Sequence, residues 1–274
     1  MARIDAFFKL MNEQKASDLH LVSGQQPVLR IRGELERVKY KVLDDDDLRA
    51  MLYEITPEDK IKTFEETGDL DFAYEIPGLA RYRANFFRQK NGIGAVFREI
   101  PSEILSTEQL GLPAVVSRLA MLPRGLVLVT GPTGSGKSTT LAAVIDEANR
   151  KRKDHIITVE DPIEFVHVSK SCLVNHREVG SHTMSFSTAL RAALREDPDI
   201  ILVGEMRDLE TIRLAIEAAA TGHLVFSTLH TTSAAKTVDR VIEVFPTGEQ
   251  AQIRSTLADG LRAVVSQTLF KRID

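Results

Sequence analysis

The stretch that decides the fold is GPTGSGKST, which runs from Gly131 to Thr139. Its spacing, GxxxxGK[ST], is the P-loop pattern, in which glycines let successive backbone N–H groups point at phosphate oxygens at the start of a helix. In this pattern the lysine reaches the β- and γ-phosphates and the following hydroxyl binds Mg²⁺. We therefore predict a site for ATP and Mg²⁺ made by the whole stretch: Gly131, Pro132, Thr133, Gly134, Ser135, Gly136, Lys137, Ser138 and Thr139.

The sequence on either side of this loop fits the same interpretation. Residues 126–130, LVLVT, form the apolar run of a buried strand, and residues 138–149 have the pattern of a helix. A strand before the loop and a helix after it are the context that a nucleotide-binding loop requires. A glycine-rich turn without nucleotide is the alternative, and both flanks disfavour it.

Composition limits the possible functions of the chain. With 274 residues it is long enough for two domains, and its net charge of −4 gives no general attraction to nucleic acid. Cys172 is the single cysteine, so a disulfide within the chain and a zinc site of several thiolates are both excluded. We expect no zinc, no nucleic-acid partner and a reduced, cytosolic compartment. No stretch approaches the roughly 20 apolar residues that cross a bilayer.

Residues 1–110 read as a small α+β domain that ends in a linker. Helical spacing and alternating polarity predict helices at 7–15 and 48–55 and strands at 28–33, 69–74, 80–87 and 94–100. The stretch 101–113 is polar with a proline at each end, which is typical of a linker, and we place the boundary near Leu110. The four aspartates at 44–47 are interpreted as a helix start, where acidic side chains complement the helix dipole, in preference to a metal site.

Residues 111–274 have the alternating strands and helices of an α/β domain. Runs that are apolar on both faces predict parallel strands covered by helices, at 126–130, 156–159, 200–203 and 224–229. Helices are expected at 187–196, 209–220 and 234–244. The predicted fold class is therefore an α/β P-loop (RecA-like) domain preceded by the smaller α+β domain.

Acidic residues follow two of these strands, where open α/β sheets bind their ligands. Glu160 and Glu164 come after the strand 156–159, and a carboxylate there is suited to orient and deprotonate the water that attacks the γ-phosphate. We favour Glu164 as this base, with Glu160 as the alternative. Glu205 follows the strand 200–203 in the manner of a Walker B acid, and we expect it near Mg²⁺ through a water molecule.

Two histidines flank the strand 224–229. His230 follows the strand and is expected at the ligand edge, where it could sense the γ-phosphate. His223 precedes the strand, so a structural hydrogen bond or a subunit contact is the better interpretation for it.

Arginines of the first domain are candidates for the positive charge that many ATPases supply to the transition state. Arg81 and Arg83 are two apart on a predicted strand and therefore share one face, while Arg88 is a third candidate. A solvated strand face is an equally good explanation. Arg195 and Arg207 flank the strand 200–203 and could instead pair with acids at a subunit interface.

Four stretches together carry a family resemblance: GPTGSGKSTT, TVEDPIEF, REDPDIILVGEMRD and TGHLVFSTLHT. They resemble the Walker A, Asp box, Walker B and His box of the secretion ATPase superfamily, over most of residues 110–270. The stretch ASDLHL at 16–21 resembles the PAS-like N-terminal domain of that family. The resemblance implies a homo-hexameric ring that binds ATP between its two domains, takes its base from the Asp box and moves a platform protein of the inner membrane from the cytoplasmic side.

The cysteine count and the length of the N-terminal region indicate the branch of the family. One cysteine cannot build the tetracysteine zinc module that is common in extension and type II secretion members, and the region before the P-loop domain is short. Both features favour the PilT-like retraction branch of type IV pili, with a PilC-like platform partner. A pilus extension or type II secretion ATPase, a RecA-like nucleic-acid translocase and a nucleotide switch without hydrolysis are the alternatives. Chains of the retraction branch continue past Asp274 with an AIRNLIRE-like motif, so we expect this chain to be truncated, which leaves its competence for retraction open.

Overall fold

The computed structural model describes residues 2–100 and 103–270. The chain divides into two compact units, Met1–Ser102 and Glu103–Asp274. The predicted linker at 101–113 begins with two residues that lie outside the described part, as do the last four residues at the chain end. No helix in the described residues is long and apolar enough to span a membrane.

The first unit contains an antiparallel sheet with helices. Its helices are α1 (Asp5–Glu13), α2 (Asp45–Tyr53) and α3 (Glu58–Thr67), and its strands are β1 (Asp18–Val22), β2 (Val28–Ile31), β3 (Glu34–Arg37), β4 (Asp69–Ile76), β5 (Ala80–Gln89) and β6 (Gly92–Ile100). The described strands form a six-stranded sheet in the order β3-β2-β1-β6-β5-β4. The last three strands are a meander, as the turns in the sequence predict.

Side chains of β5 alternate between the buried core and the opposite face of the sheet, where the candidate arginines of this unit lie. Tyr82 and Phe86 are fully buried, and Tyr82 stacks on Phe8 of α1 with ring centroids 4.2 Å apart. Because successive side chains of a strand point to opposite faces, Arg81 and Arg83 lie on the face away from this aromatic core. They share a face, as expected from their spacing.

The acidic run at 44–47 begins a helix, as predicted. The Asp44 side chain caps α2 by accepting a hydrogen bond of 2.8 Å from the backbone N–H of Asp47, and the other aspartates lie in the first turn. The cap satisfies a backbone donor that the helix itself leaves free. The interpretation of this run as a helix start is confirmed.

The second unit is a parallel sheet between helices. Its helices are α4 (Ala114–Leu119), α5 (Lys137–Lys151), α6 (Phe186–Ala193), α7 (Leu209–Thr221), α8 (Ala234–Glu243) and α9 (Thr247–Gly260). Its strands are β7 (Gly125–Thr130), β8 (His155–Glu160), β9 (Leu173–Glu178), β10 (Ile200–Val203), β11 (Leu224–Leu229) and β12 (Leu261–Ser266). The described strands are all parallel, in the order β12-β7-β11-β10-β8-β9.

The central strands are the ones that the sequence predicted. Strands β7, β10 and β11 are buried at every position, because helices cover both faces of the sheet. The two edge strands, β9 and β12, were not predicted, since they alternate polar and apolar residues or include partly exposed positions. The carboxyl ends of the parallel strands meet at one edge of this sheet, and the candidate site lies there.

Candidate active site

The glycine-rich loop connects β7 to α5. Gly131, Gly134 and Gly136 have φ of 148°, 78° and 84°, which are values that residues with a Cβ rarely adopt. A Cβ on Gly131 would lie 2.3 Å from the backbone oxygen of Gln267, so the close approach of the chain after β12 also requires glycine. The loop therefore presents its backbone at the N-terminus of α5, the geometry that binds phosphate.

Lys137 is the first residue of α5, and its side chain lies against the loop. Its Nζ donates to the backbone oxygens of Gly131 at 2.9 Å and Pro132 at 3.0 Å. Burial lowers the pKa of Lys137, while the charges of Glu205 and Glu164 raise it. The ammonium is therefore within electrostatic reach of both carboxylates, which come from two different loops.

Glu205 lies between Arg207 and His230, just past the end of β10. Its Oε2 is 2.8 Å from Nη2 of Arg207, and its Oε1 is 3.0 Å from Nε2 of His230. Burial raises the pKa of Glu205, but the combined effect of Arg207 and His230 is larger and leaves that pKa below its usual range. The structure thus maintains an ionised carboxylate at this point of the sheet edge.

Glu160, the last residue of β8, has the opposite environment. Its side chain is 7% exposed, and its Oε2 accepts a hydrogen bond of 3.1 Å from the backbone N–H of Glu164. Burial raises the pKa of Glu160 to about 7, and the charges of Glu164 and Glu178 act in the same direction. Glu164 itself is exposed to solvent. The two carboxylates that the sequence offered as the base, Glu164 first and Glu160 as the alternative, therefore differ clearly in their surroundings.

The two histidines of the His box lie at opposite ends of β11. His230 contacts Glu205 at the carboxyl end, where the sequence placed it. His223 lies at the other end, and its Nδ1 is 3.0 Å from the backbone oxygen of Ala218 at the end of α7. That contact is a structural hydrogen bond, which is one of the two roles that the sequence interpretation offered for His223, the other being a subunit contact.

The candidate arginines have separate environments. In the first unit, Arg83 lies 3.6 Å from Asp71, Arg81 is half-buried, and Arg88 pairs with Glu65 at 2.5 Å. Their role toward a nucleotide remains a prediction. In the second unit, Arg207 pairs with Glu205 of its own chain, a contact that the sequence interpretation of Arg207 as an interface residue did not anticipate.

The donor set fits a magnesium ion with a nucleotide. No group of three or more His, Cys, Asp or Glu side chains that could hold a metal occurs in residues 2–100 and 103–270. Mg²⁺ instead commonly takes one or two protein oxygens together with phosphate oxygens and water. The hydroxyl of Ser138, in the first turn of α5, and the ionised carboxylate of Glu205 are oxygen donors of this kind.

Sequence reasoning missed side chains that lie beneath the loop carrying Glu164. Glu178 and His176 of β9 accept hydrogen bonds from the backbone N–H groups of Ile163 and His167, at 3.1 Å and 3.0 Å. None of the four stretches that carry the family resemblance includes β9, and an edge strand with polar residues gave no signal of its own.

A glycine-rich loop before a helix and acids at the ends of neighbouring parallel strands define the class of P-loop nucleotide-binding proteins. Comparison with known families is more specific, because the Type II/IV secretion system protein family matches residues 3–274. The chain belongs to this secretion ATPase family, and it is a PilT-like member of it.

Its relatives include proteins of pilus retraction. The chain is 59% identical over 261 residues to the type IV pilus retraction ATPase PilT of Pseudomonas aeruginosa, covering 95% of this chain and 76% of that protein. It is 49% identical over 273 residues to a twitching motility protein of Neisseria gonorrhoeae, covering 97% and 73%. A crystal structure of the pilus retraction motor PilT with bound ADP matches with a TM-score of 0.95 at 46% identity, covering all of this chain and 80% of that one.

Proposed function

We propose that this chain is an ATP-hydrolysing motor that powers the retraction of type IV pili and hence twitching motility. The observation that carries the proposal is that the glycine-rich loop after β7 and the acids at the ends of β8 and β10 lie at the same edge of one parallel sheet. The charges of Glu205 and Glu164 also act on Lys137. The similarity to a pilus retraction ATPase supports the choice of machine.

ATP binds to the stretch 131–139 in this proposal. Backbone N–H groups of the loop and the N-terminus of α5 bind the phosphates, and Lys137 turns from the carbonyls of Gly131 and Pro132 to the β- and γ-phosphates. Ser138 and, through a water molecule, Glu205 would hold Mg²⁺. When bound, the ion neutralises negative charge on the phosphates.

Glu164 is proposed as the group that orients and deprotonates the attacking water. It is exposed and its charge acts on Lys137, whereas Glu160 is buried and uses one oxygen to accept the Glu164 backbone N–H. Glu160 therefore supports the loop, and it remains the alternative base because a pKa near 7 also suits proton transfer.

His230 completes the site on the other side of Glu205. Its Nε2 contacts the carboxylate from the end of β11, so a change at the γ-phosphate that moves Glu205 is transmitted to this strand. The proposed role of His230 is to sense whether the γ-phosphate is present. His223 lies at the opposite end of the strand and takes no part in the chemistry.

The assembly is proposed from the family. The second unit is taken as a RecA-like ATPase domain and the first unit as a PAS-like domain, and six copies form a ring. Arg81 and Arg83 are the candidates for stabilising transition-state charge. The ring acts on a PilC-like platform protein at the cytoplasmic side of the inner membrane.

Retraction is favoured over secretion by the pattern of similarity. A putative type II secretion system protein E of Escherichia coli is 42% identical, and this chain covers 55% of its length. The PilT of P. aeruginosa is both more similar and more fully covered. The net charge of −4 continues to disfavour a nucleic-acid translocase.

Complementation tests the proposal. In type IV piliated cells that lack their retraction ATPase, we expect expression of this chain to restore twitching and to reduce the pili that accumulate on the surface. The Lys137→Ala variant, expressed at the same level, should do neither. Restored piliation in cells that lack the extension ATPase, without any effect on retraction, would show an extension motor instead.

A further inference from the structure

The loop between β8 and β9 carries Glu164, and its backbone is bound by side chains of both strands. We call residues 161–168 the Asp-box loop; it contains no helix or strand. The backbone N–H groups of three of its residues donate to side chains: Ile163 to Glu178, Glu164 to Glu160 and His167 to His176, at 3.1, 3.1 and 3.0 Å. A loop without regular structure is thus bound through three of its backbone N–H groups, and the backbone oxygen of its last residue, Val168, accepts from Nδ2 of Asn149 at 2.8 Å.

The accepting side chains are neighbours in the sheet. β8 and β9 pair in parallel, with Thr158 opposite His176 and Glu160 opposite Glu178. Because alternate residues of a strand share a face, Thr158 lies on the same face of β8 as Glu160. The side chains on this face are therefore a polar group of four: Thr158, Glu160, His176 and Glu178. Three of them are nearly inaccessible to solvent, because Thr158 is fully buried, Glu160 is 7% exposed and Glu178 is 4% exposed.

His176 contacts both the Asp-box loop and β8. Its Nε2 lies 3.0 Å from the backbone N and 3.2 Å from the backbone O of His167, and its Nδ1 lies 2.8 Å from Oγ1 of Thr158. One chain of hydrogen bonds, Thr158–His176–His167, thus joins β8 and β9 to the loop. A second hydrogen bond, from the N–H of Glu164 to Oε2 of Glu160, binds the loop three residues earlier.

We propose that His176, oriented by its hydrogen bond with Thr158, is a positioning residue for ATP hydrolysis that fixes the Asp-box loop at His167 and so the place of the Glu164 carboxylate. The inference rests on the proposed function for its catalytic consequence, but the binding of the loop by His176 is independent of it. If the Asp-box loop were not held, the Glu164 carboxylate would spend less time next to the attacking water. Loss of the hydrogen bonds of His176 should therefore lower kcat more than it changes ATP binding.

The test compares variants that break this chain with variants that leave it intact. Thr158→Val and His176→Leu each remove one link, and Thr158→Ser keeps the hydroxyl. His155→Leu is the matched control, because His155 is also a histidine at the β8–β9 pair with two hydrogen bonds, to the backbone oxygen of Asp197 and to Asn175, both 3.0 Å. ATP turnover and the exchange of backbone amides over 161–168 are measured for each.

We expect kcat to fall about tenfold in Thr158→Val and in His176→Leu, with KM for ATP within about twofold of the wild type. The double variant should be no slower than the slower single variant, because both substitutions break one chain. Amide exchange over 161–168 should be faster in these variants, while Thr158→Ser and His155→Leu resemble the wild type.

Turnover and exchange equal to those of His155→Leu would overturn the inference, as would faster exchange with unchanged kcat. If His176→Leu does not fold, Thr158→Val decides, since it is nearly isosteric and lies in a strand that favours valine. A wild-type chain that binds ATP without hydrolysing it would refute the proposed function and the catalytic role of His176 together. The exchange comparison would then still decide whether His176 holds the loop.

Discussion

Glu160 is the last residue of β8, and Glu205 follows the neighbouring parallel strand β10, so both acids lie at the same edge of the sheet. Their surroundings nevertheless shift their pKa values in opposite directions. Val203 of β10 pairs with Val159 of β8, so the two acids leave the sheet almost side by side. Glu205 has Arg207 and His230 on its two oxygens, whereas Glu160 is buried under a loop and its oxygen accepts from an uncharged backbone N–H. Position along a strand brings a carboxylate to the site, and the neighbouring side chains decide its charge.

The largest effect is expected from Glu164, which is exposed and so shares neither the ion pair of Glu205 nor the burial of Glu160. Glu164→Gln removes the proposed base and should reduce kcat by about 10²- to 10⁴-fold. Glu160→Gln keeps an oxygen that can accept the Glu164 N–H, so kcat should fall by less than about tenfold. Steady-state ATP turnover of the two variants makes the comparison. The reverse order would identify Glu160 as the base.

Glu205→Gln tests whether the ionised carboxylate of Glu205 takes part in hydrolysis. The substitution removes the charge between Arg207 and His230 while keeping the shape, and we expect kcat to fall by about 10²-fold, as for the loss of an electrostatic group in an active site. Binding of a fluorescent ADP analogue should change little, since the loop 131–139 is intact. Turnover close to that of the wild type would remove Glu205 from the chemistry.

His230 and His223 provide a matched pair on one strand. His230→Asn loses the contact with Glu205 and should reduce kcat by about tenfold, the range of one hydrogen bond to a charged group. His223→Asn, at the other end of β11, should leave kcat within about twofold of the wild type. Equal losses in the two variants would indicate that both histidines serve only the stability of the strand.

The burial of Glu160 predicts that the stability of the fold depends on pH. Burial raises the pKa of Glu160 to about 7 from 4.5, so the folded state binds this proton more tightly than the unfolded state. The wild type should therefore lose stability relative to Glu160→Gln as the pH rises from about 4 to above 7, by roughly 3 kcal/mol in total. Urea unfolding at several pH values measures the difference. Parallel stability curves would contradict the assigned environment of Glu160.

The sequence was sufficient for the parts of the site that depend on local spacing. The P-loop glycines need positive φ and the strands β7, β10 and β11 need apolar side chains on both faces, and both requirements are visible in consecutive residues. The placing of Glu205, Glu160 and His230 at one edge follows from the same pattern, because parallel strands end together.

The sequence was not sufficient for contacts that depend on the order of strands in space. That Arg207 turns to Glu205, and that His176 and Glu178 lie beneath the Asp-box loop, follows from which strand pairs with which. β9 comes after β8 in the chain but has a mixed pattern, so its role as a neighbour could not be derived from periodicity. The sequence favoured Glu164 over Glu160 as the base, but it could not show that Glu160 is buried, since burial under a loop is not a local property.

Single-turnover hydrolysis by the purified chain and its Lys137→Ala variant is the most direct test of the central claim, that the edge of the parallel sheet is an ATP-hydrolysing site. The wild type should convert bound ATP to ADP and phosphate, and the variant should produce no phosphate above the uncatalysed rate, because Lys137 is the P-loop lysine that would bind the β- and γ-phosphates. Equal rates in the two proteins would contradict the account.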